Sequence, residues 1–304
     1  VLAGAAGLGA VAGLGGLASP ATAQPAPDRR PIPGSGARIP AVGLGTWITF
    51  NVGDDTELRN QRAEVMRRFF ALGGGVIDSS PMYGSAEAVI GYGLERLQGQ
   101  GVDTGGLFSA TKVWTRMFAD GQEQMAESRR LWGLERFGLM QIHNLVDWET
   151  HLPALKADRE AGRIGHLGIT TSHGRRHEEF ARIMEREPLD FVQFTYNILD
   201  REAERRLLPL AAERGQAVIV NRPFRTGGLF DRFGGHPLPG FAAEIEAETW
   251  AQFLLKFILS HPAVTCAIPA TRRVDHVEEN MRAMQGPLPD QDLRRRMIAY
   301  VEDL

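Results

Sequence analysis

The chain is 304 residues long and 43% hydrophobic, with 34 basic against 37 acidic side chains, a net charge of −3 and a pI near 6.3. That content can bury one or two domain cores, and it excludes the basic footprint needed for nucleic acid or an anionic membrane surface. A lone cysteine, Cys266, excludes an internal disulfide; its apolar neighbours point to a buried, inert thiol.

Residues 1–17 contain only Gly, Ala, Val and Leu, and Ala21-Thr22-Ala23 fits a small-residue cleavage site. The expectation is an export-signal remnant over 1–23, too glycine-rich for a stable membrane anchor. Without an initiator methionine or charged leader, the signal is expected to begin partway, with a twin-arginine pair upstream if the protein crosses folded to the periplasm. A Gly/Ala-rich tail on a cytoplasmic protein is the alternative. Residues 24–36, rich in Pro and Gly, are expected to be a linker, and residues 37–304 a single domain.

From Ala37 the chain alternates. Short strands are expected at 41–45, 76–78, 107–112, 139–143, 164–170, 191–194, 217–220 and 264–268. Helices are expected at 57–72, 86–97, 122–132, 148–161, 178–187, 201–214, 246–260 and 273–284. Residues 225–240 are polar and glycine-rich, as in a long loop. Eight strand–helix units in about 250 residues predict an α/β fold, a closed (β/α)8 TIM barrel. An open doubly wound sheet is disfavoured because Gly43-Leu44-Gly45 runs on into Thr46-Trp47 instead of a dinucleotide fingerprint.

A barrel of this kind places its chemistry at the carboxyl ends of the strands. Those ends carry Asp78, Lys112 and His143, with Tyr83 on the loop after the second strand. Lys112 follows Phe108, Ala110 and Thr111 in an apolar strand, and a lysine buried there needs a counter-charge, for which Asp78 on the neighbouring strand is placed. No carboxylate pair or metal-ligand cluster is visible; His173 and His177, four apart, are expected on the surface.

Several motifs together resemble the aldo-keto reductase family over Ile39 to Met284. They are Gly43-Leu44-Gly45-Thr46-Trp47, Ile77-Asp78 with Tyr83-Gly84-Ser85 and Glu87, Ser109-Ala110-Thr111-Lys112-Val113-Trp114, Gln141-Ile142-His143, and Ile268-Pro269 with Glu279-Asn280. The resemblance implies reduction of a small aldehyde or ketone by NADPH, with NADH an alternative donor, in a monomer. It implies a catalytic tetrad of Asp78, Tyr83, Lys112 and His143. Tyr83 would be the general acid, made more acidic by Lys112, and a neutral His143 would orient the carbonyl. For the cofactor it implies Gly45, Thr46, Trp47, Thr170, Thr171, Gln193, Asn221, Arg222, Thr271, Arg272, Arg273, Glu279 and Asn280. Asn221 and Arg222 stand where the family commonly has a ring that stacks on the nicotinamide and a serine. Ala270, Thr271 and His276 replace the usual Lys, Ser and Arg at the 2′-phosphate, so Arg272 and Arg273 are expected to substitute. Trp47, Trp114 and Phe224 are candidate walls for the substrate. The rival reading is a nicotinamide-binding regulatory or scaffold module with little turnover.

Overall fold

The protein, seen in a computed structural model, is described at residue 1 and over residues 28–304. The expected signal remnant beyond Val1 and the first part of the expected linker, residues 24–27, lie outside the described residues. The rest of that linker is not one. β1 (Arg29–Pro31) and β2 (Arg38–Pro40) pair antiparallel, with Gly34 and Gly36 at positive φ in the turn between them. Ile32 and Ile39 are buried against the floor of the barrel, among Val76, Ala110, Leu139, Phe191, Ile219 and Cys266. That burial offsets the backbone entropy that a Pro/Gly-rich segment would otherwise keep.

Eight parallel strands follow: β3 (Leu44–Gly45), β4 (Val76–Asp78), β5 (Phe108–Val113), β6 (Phe137–Ile142), β7 (Ile164–Thr170), β8 (Phe191–Thr195), β9 (Ala217–Asn221) and β10 (Cys266–Ala267). They pair in chain order, and bridges at Val42–Ala267 and Gly45–Ala270 join the last to the first. Gly43 N donates to Ala267 O at 2.8 Å, and Gly45 N to Pro269 O at 3.0 Å, across that seam. A Cβ at Gly45 would lie 2.7 Å from the Ile268 carbonyl oxygen, so the seam needs glycine there. This is the expected (β/α)8 barrel.

Helices α1 (Thr56–Ala71), α2 (Ala86–Gly99), α3 (Phe118–Trp132), α4 (Trp148–Glu160), α5 (His177–Arg186) and α6 (Leu207–Arg214) surround the sheet. Their apolar faces form the outer core, with Val65, Phe69, Val89, Ile90, Met125 and Phe180 fully buried. The expected helix over 201–214 is shorter: a 3₁₀ turn at Glu202–Glu204 precedes α6, whose Pro209 is tolerated only in the first turn. The expected loop over 225–240 contains α7 (Gly228–Phe233), held by burial of Leu229 and Phe233. The expected helix from 246 begins at α8 (Trp250–Leu259), because Thr249 caps it through the Gln252 amide at 3.3 Å. After α9 (Val274–Arg282) comes an unexpected α10 (Gln291–Glu302), capped by Asp290 and buried through Leu293, Met297 and Val301.

Within the barrel, the period of two along each strand stacks a polar layer on an apolar one. Val76, Ala110, Leu139 and Phe191 face inward below; two residues further along, Asp78, Lys112, Gln141 and Gln193 face inward above. That upper layer is the floor of the mouth.

Candidate active site

Lys112 is 0% exposed, and its Nζ donates to Asp78 Oδ2 at 2.5 Å and to the Ser79 carbonyl oxygen at 2.7 Å. The other carboxylate oxygen, Asp78 Oδ1, accepts Gln141 Nε2 at 3.1 Å and Gln193 Nε2 at 3.0 Å. Both oxygens of the buried carboxylate are thus met, one by a charged donor and the other by two amides. Burial pushes Lys112 toward the neutral amine. The Asp78 charge, then Tyr83, the hydrogen bond to Asp78 and Glu87, outweigh that and hold it above the ordinary lysine range.

Ser80 caps a 3₁₀ turn, Pro81–Tyr83, by accepting the Met82 amide at 3.2 Å, and this turn hangs Tyr83 over the polar layer. Gly84 follows at φ 62°, where a Cβ would meet Asn51 Oδ1, so the chain leaves the turn only through glycine. Lys112 Nζ lies 5.3 Å from the Tyr83 ring centroid. The ring meets His143 edge-on, with centroids 5.7 Å apart and planes at 88°. The four tetrad candidates therefore converge. Burial, the largest effect, raises the Tyr83 pKa and Asp78 adds to that; Lys112 lowers it as expected, but it stands above the ordinary tyrosine range. Before any ligand binds, Tyr83 keeps its proton.

His143 Nδ1 lies 2.8 Å from Ser80 Oγ. With the Met82 amide on one lone pair of that oxygen, a hydroxyl proton directed at Nδ1 leaves the ring N–H on Nε2, the tautomer we assign. Burial, then the Lys112 charge, pushes His143 down to about 3. A histidine depressed in the folded state gives stability that is complete above its unfolded pKa near ~6.5 and is lost as pH falls toward its folded value. NMR titration should accordingly show His143 neutral between about pH 4 and 7. A His143→Gln variant should lose less stability on acidification over that range than the parent does.

The residues expected at the cofactor divide by their partners. Thr46 Oγ1 donates to the Asp78 carbonyl at 3.0 Å and tethers the β3 loop, while Trp47 beside it is 38% exposed. Thr170 Oγ1 accepts the Asn144 amide at 3.0 Å, and Thr171 Oγ1 donates to the Arg175 carbonyl at 2.7 Å. Asn221 is drawn inward: it accepts Thr195 Oγ1 at 2.7 Å and donates to the Thr171 carbonyl at 2.9 Å. Thr271 Oγ1 accepts the Arg273 amide at 3.1 Å at the start of α9, where Arg273 pairs with Asp275 and Arg272 is exposed. Glu279 is half-buried and Asn280 buried on α9. Phe224 belongs to the core, 8% exposed and packed on Phe230 at 4.7 Å, so it is not a wall of the mouth.

Gln141, Ser79, Ser80 and Arg175 carry parts of this site and had no assigned role in the sequence reading. Only Gln141 left a signal, two residues before His143 in the expected strand over 139–143; that strand ends at Ile142, and His143 opens a 3₁₀ turn. Among the described residues no cluster of metal-binding side chains occurs, and no helix is long and apolar enough to cross a membrane. A groove of about 870 Å³ lies outside the barrel between α2 and α3, lined by Tyr92, Leu131 and Arg136, remote from the strand ends.

Residues 41–299 match the pattern of the aldo/keto reductase family. The chain is 26% identical over 271 residues to methylglyoxal reductase YeaE of Escherichia coli K12, covering 86% of this chain and 91% of that protein. It is 24% identical over 302 residues to L-glyceraldehyde 3-phosphate reductase of Escherichia coli O157:H7, covering 83% and 86%. The crystal structure of an aldo/keto reductase from Klebsiella pneumoniae in complex with NADP and acetate superposes with a TM-score of 0.74 at 23% identity, covering 88% of this chain and 94% of that one. Family pattern, fold and convergent strand ends agree: the chain belongs to the aldo/keto reductase family of oxidoreductases.

Proposed function

We propose that the protein reduces an aldehyde or ketone to an alcohol with NADPH, Tyr83 being the general acid. The observation that carries this reading is the buried Lys112 ammonium, fixed between Asp78 and the Ser79 carbonyl and 5.3 Å from the Tyr83 ring centroid. A carbonyl oxygen under reduction gains negative charge and needs a proton as it does so. Tyr83 holds that proton, and the nearby ammonium stabilises the phenolate left behind. His143 Nε2–H is positioned to steady the same oxygen. A bound nicotinamide supplies the hydride, which no side chain can carry.

The residues present suit such a cofactor. Arg222 is half-buried at φ 51°, with no carboxylate within ion-pair distance among the described residues. Burial lowers it below the usual guanidinium range; Asp200 opposes that, and Arg225 and Arg175 add to it. Three arginines against one aspartate that already pairs with Arg225 leave positive charge fit to hold a diphosphate. Arg272 and Thr271, at the start of α9, would take a 2′-phosphate. NADPH also accompanies a structural neighbour from Klebsiella pneumoniae. On the opposite arc, the segments after β3, β4 and β5, up to the first residue of α3, expose Trp47, Ile48, Met82, Trp114, Met117 and Phe118, which supports an apolar substituent on the carbonyl. Export, proposed for this enzyme as well, rests on the composition of residues 1–23 alone.

Fluorescence titration with NADPH and NADH, followed by turnover of an aldehyde panel, tests the reading. Arg272→Ala should weaken NADPH by roughly 1.5–3 kcal/mol and leave NADH nearly unchanged, as for loss of a charge-assisted hydrogen bond. Equal loss for both nucleotides would remove Arg272 from the 2′-phosphate, and failure to bind either would defeat the proposal.

A further inference from the structure

Glu87, in the first turn of α2, is 2% exposed, yet no cation lies within ion-pair distance of it among the described residues. Three donors hold it: Thr111 Oγ1 on Oε1 at 2.6 Å, Trp132 Nε1 on Oε1 at 3.1 Å, and Ser128 Oγ on Oε2 at 2.9 Å. Thr111 precedes Lys112 in β5, so the two side chains leave the strand on opposite faces. Asp78 meets Lys112 inside the barrel, and Glu87 stands behind the same strand, outside it. A glutamine would serve three neutral donors as well, without the cost of burying a charge.

We propose that Glu87 is an ionised positioning residue, a second counter-charge behind β5 that keeps Lys112 an ammonium and so keeps Tyr83 supported as proton donor at alkaline pH. This rests on the reading of Tyr83 and Lys112 given above. The surroundings of Glu87 leave Lys112 as the charge that bears on it. Asp78 and Tyr83 lie on the far side of β5, in contact with Lys112. On α3, Arg130 pairs with Glu127 at the surface, and Arg129 faces Asp158 at 3.8 Å. On α1, packed against α2, Arg59 pairs with Asp54, Arg67 with Glu64, and Arg62 donates to the Thr49 carbonyl. Burial, the largest effect, leaves the Glu87 pKa raised, against the lowering by its three donors and then Lys112. The Glu87 charge acts in return to raise that of Lys112.

Glu87→Gln isolates the charge. Its amide oxygen still accepts Thr111 and Trp132, and its NH₂ meets the Ser128 hydroxyl, which can turn to accept. The chain has three lysines, Lys112, Lys156 and Lys256, so ¹³C labelling at the lysine ε-carbon gives three signals, assignable by single substitution. In the parent the Lys112 signal should hold its ammonium position above the ordinary lysine range; in Glu87→Gln its midpoint should move to lower pH. The alkaline limb of kcat/KM should move down with it, Glu87→Asp should restore that limb, and the melting temperature at neutral pH should change little. Superimposable lysine titrations in parent and Glu87→Gln would overturn the proposal and make Glu87 a neutral hydrogen-bonding group. The titration needs no turnover. A parent protein that reduces no carbonyl would therefore sink the reading of Tyr83 while the lysine signal still decides Glu87.

Discussion

Tyr83→Phe is expected to lose carbonyl reduction by about 10²–10⁴-fold in kcat, the usual worth of a positioned general acid, with nicotinamide affinity within a few-fold of the parent. The phenol's work arises only in the transition state: burial holds Tyr83 protonated beforehand, and the ring makes its edge-on contact with His143 whether or not it carries oxygen. Removing that oxygen leaves the packing of the ring intact. The loss should thus appear in kcat and kcat/KM together, with a melting curve close to the parent's. Turnover comparable to the parent would take proton donation away from Tyr83 and pass it to His143 Nε2 or to solvent.

The strand–helix alternation was legible because six of the eight barrel strands carry β-branched or aromatic residues and most helices repeat apolar residues at helical spacing. What escaped was stabilised from a distance. The β1–β2 hairpin has three-residue strands and a Pro/Gly turn, and it is fixed by contacts such as Arg30 Nη1 on the Val264 carbonyl at 2.7 Å, 234 residues away. The six residues of α7 are too few to form a helix without the core that Leu229 and Phe233 enter. The helix α10 is a different case. Asp290 before a run with Leu293, Met297 and Val301 spaced four apart is a readable cap and stripe, but it lies past the eighth unit, where the barrel pattern no longer asks for a helix.

The site divides the same way. Asp78, Lys112 and His143 could be picked out because an ionisable residue ending an apolar strand has little else to do. Their support could not. Gln141 and Gln193 reach Asp78 from 63 and 115 residues away, and only barrel closure shows that two strands aim at one carboxylate oxygen. The opposing effect on Tyr83 was hidden for a related reason: the sequence shows the cation beside it, whose effect is to lower the pKa, whereas burial, the larger effect, exists only in the fold. Asn221 could be seen to replace an aromatic ring, but not to turn inward onto Thr195 and the Thr171 carbonyl.

Lys112→Met should abolish turnover and also destabilise the fold by about 3–5 kcal/mol, the cost of leaving one member of a buried ion pair unpartnered. The site offers Asp78 no other cation. Both side chains of the pair are at most 2% exposed, so solvent cannot screen the orphaned charge, and Gln141 and Gln193 supply only amide dipoles to its other oxygen. The Ser79 carbonyl loses its donor as well. The loss should be visible in urea unfolding of parent and variant at neutral pH. Adding Asp78→Asn removes the charge while keeping an acceptor for both glutamines. The double variant should regain much of the stability at neutral pH and remain inactive, because neither change returns an ammonium to Tyr83. A Lys112→Met protein as stable as the parent at pH 7 would mean that the pair is not the buried, mutually dependent unit described here. An active one would separate Lys112 from the chemistry altogether.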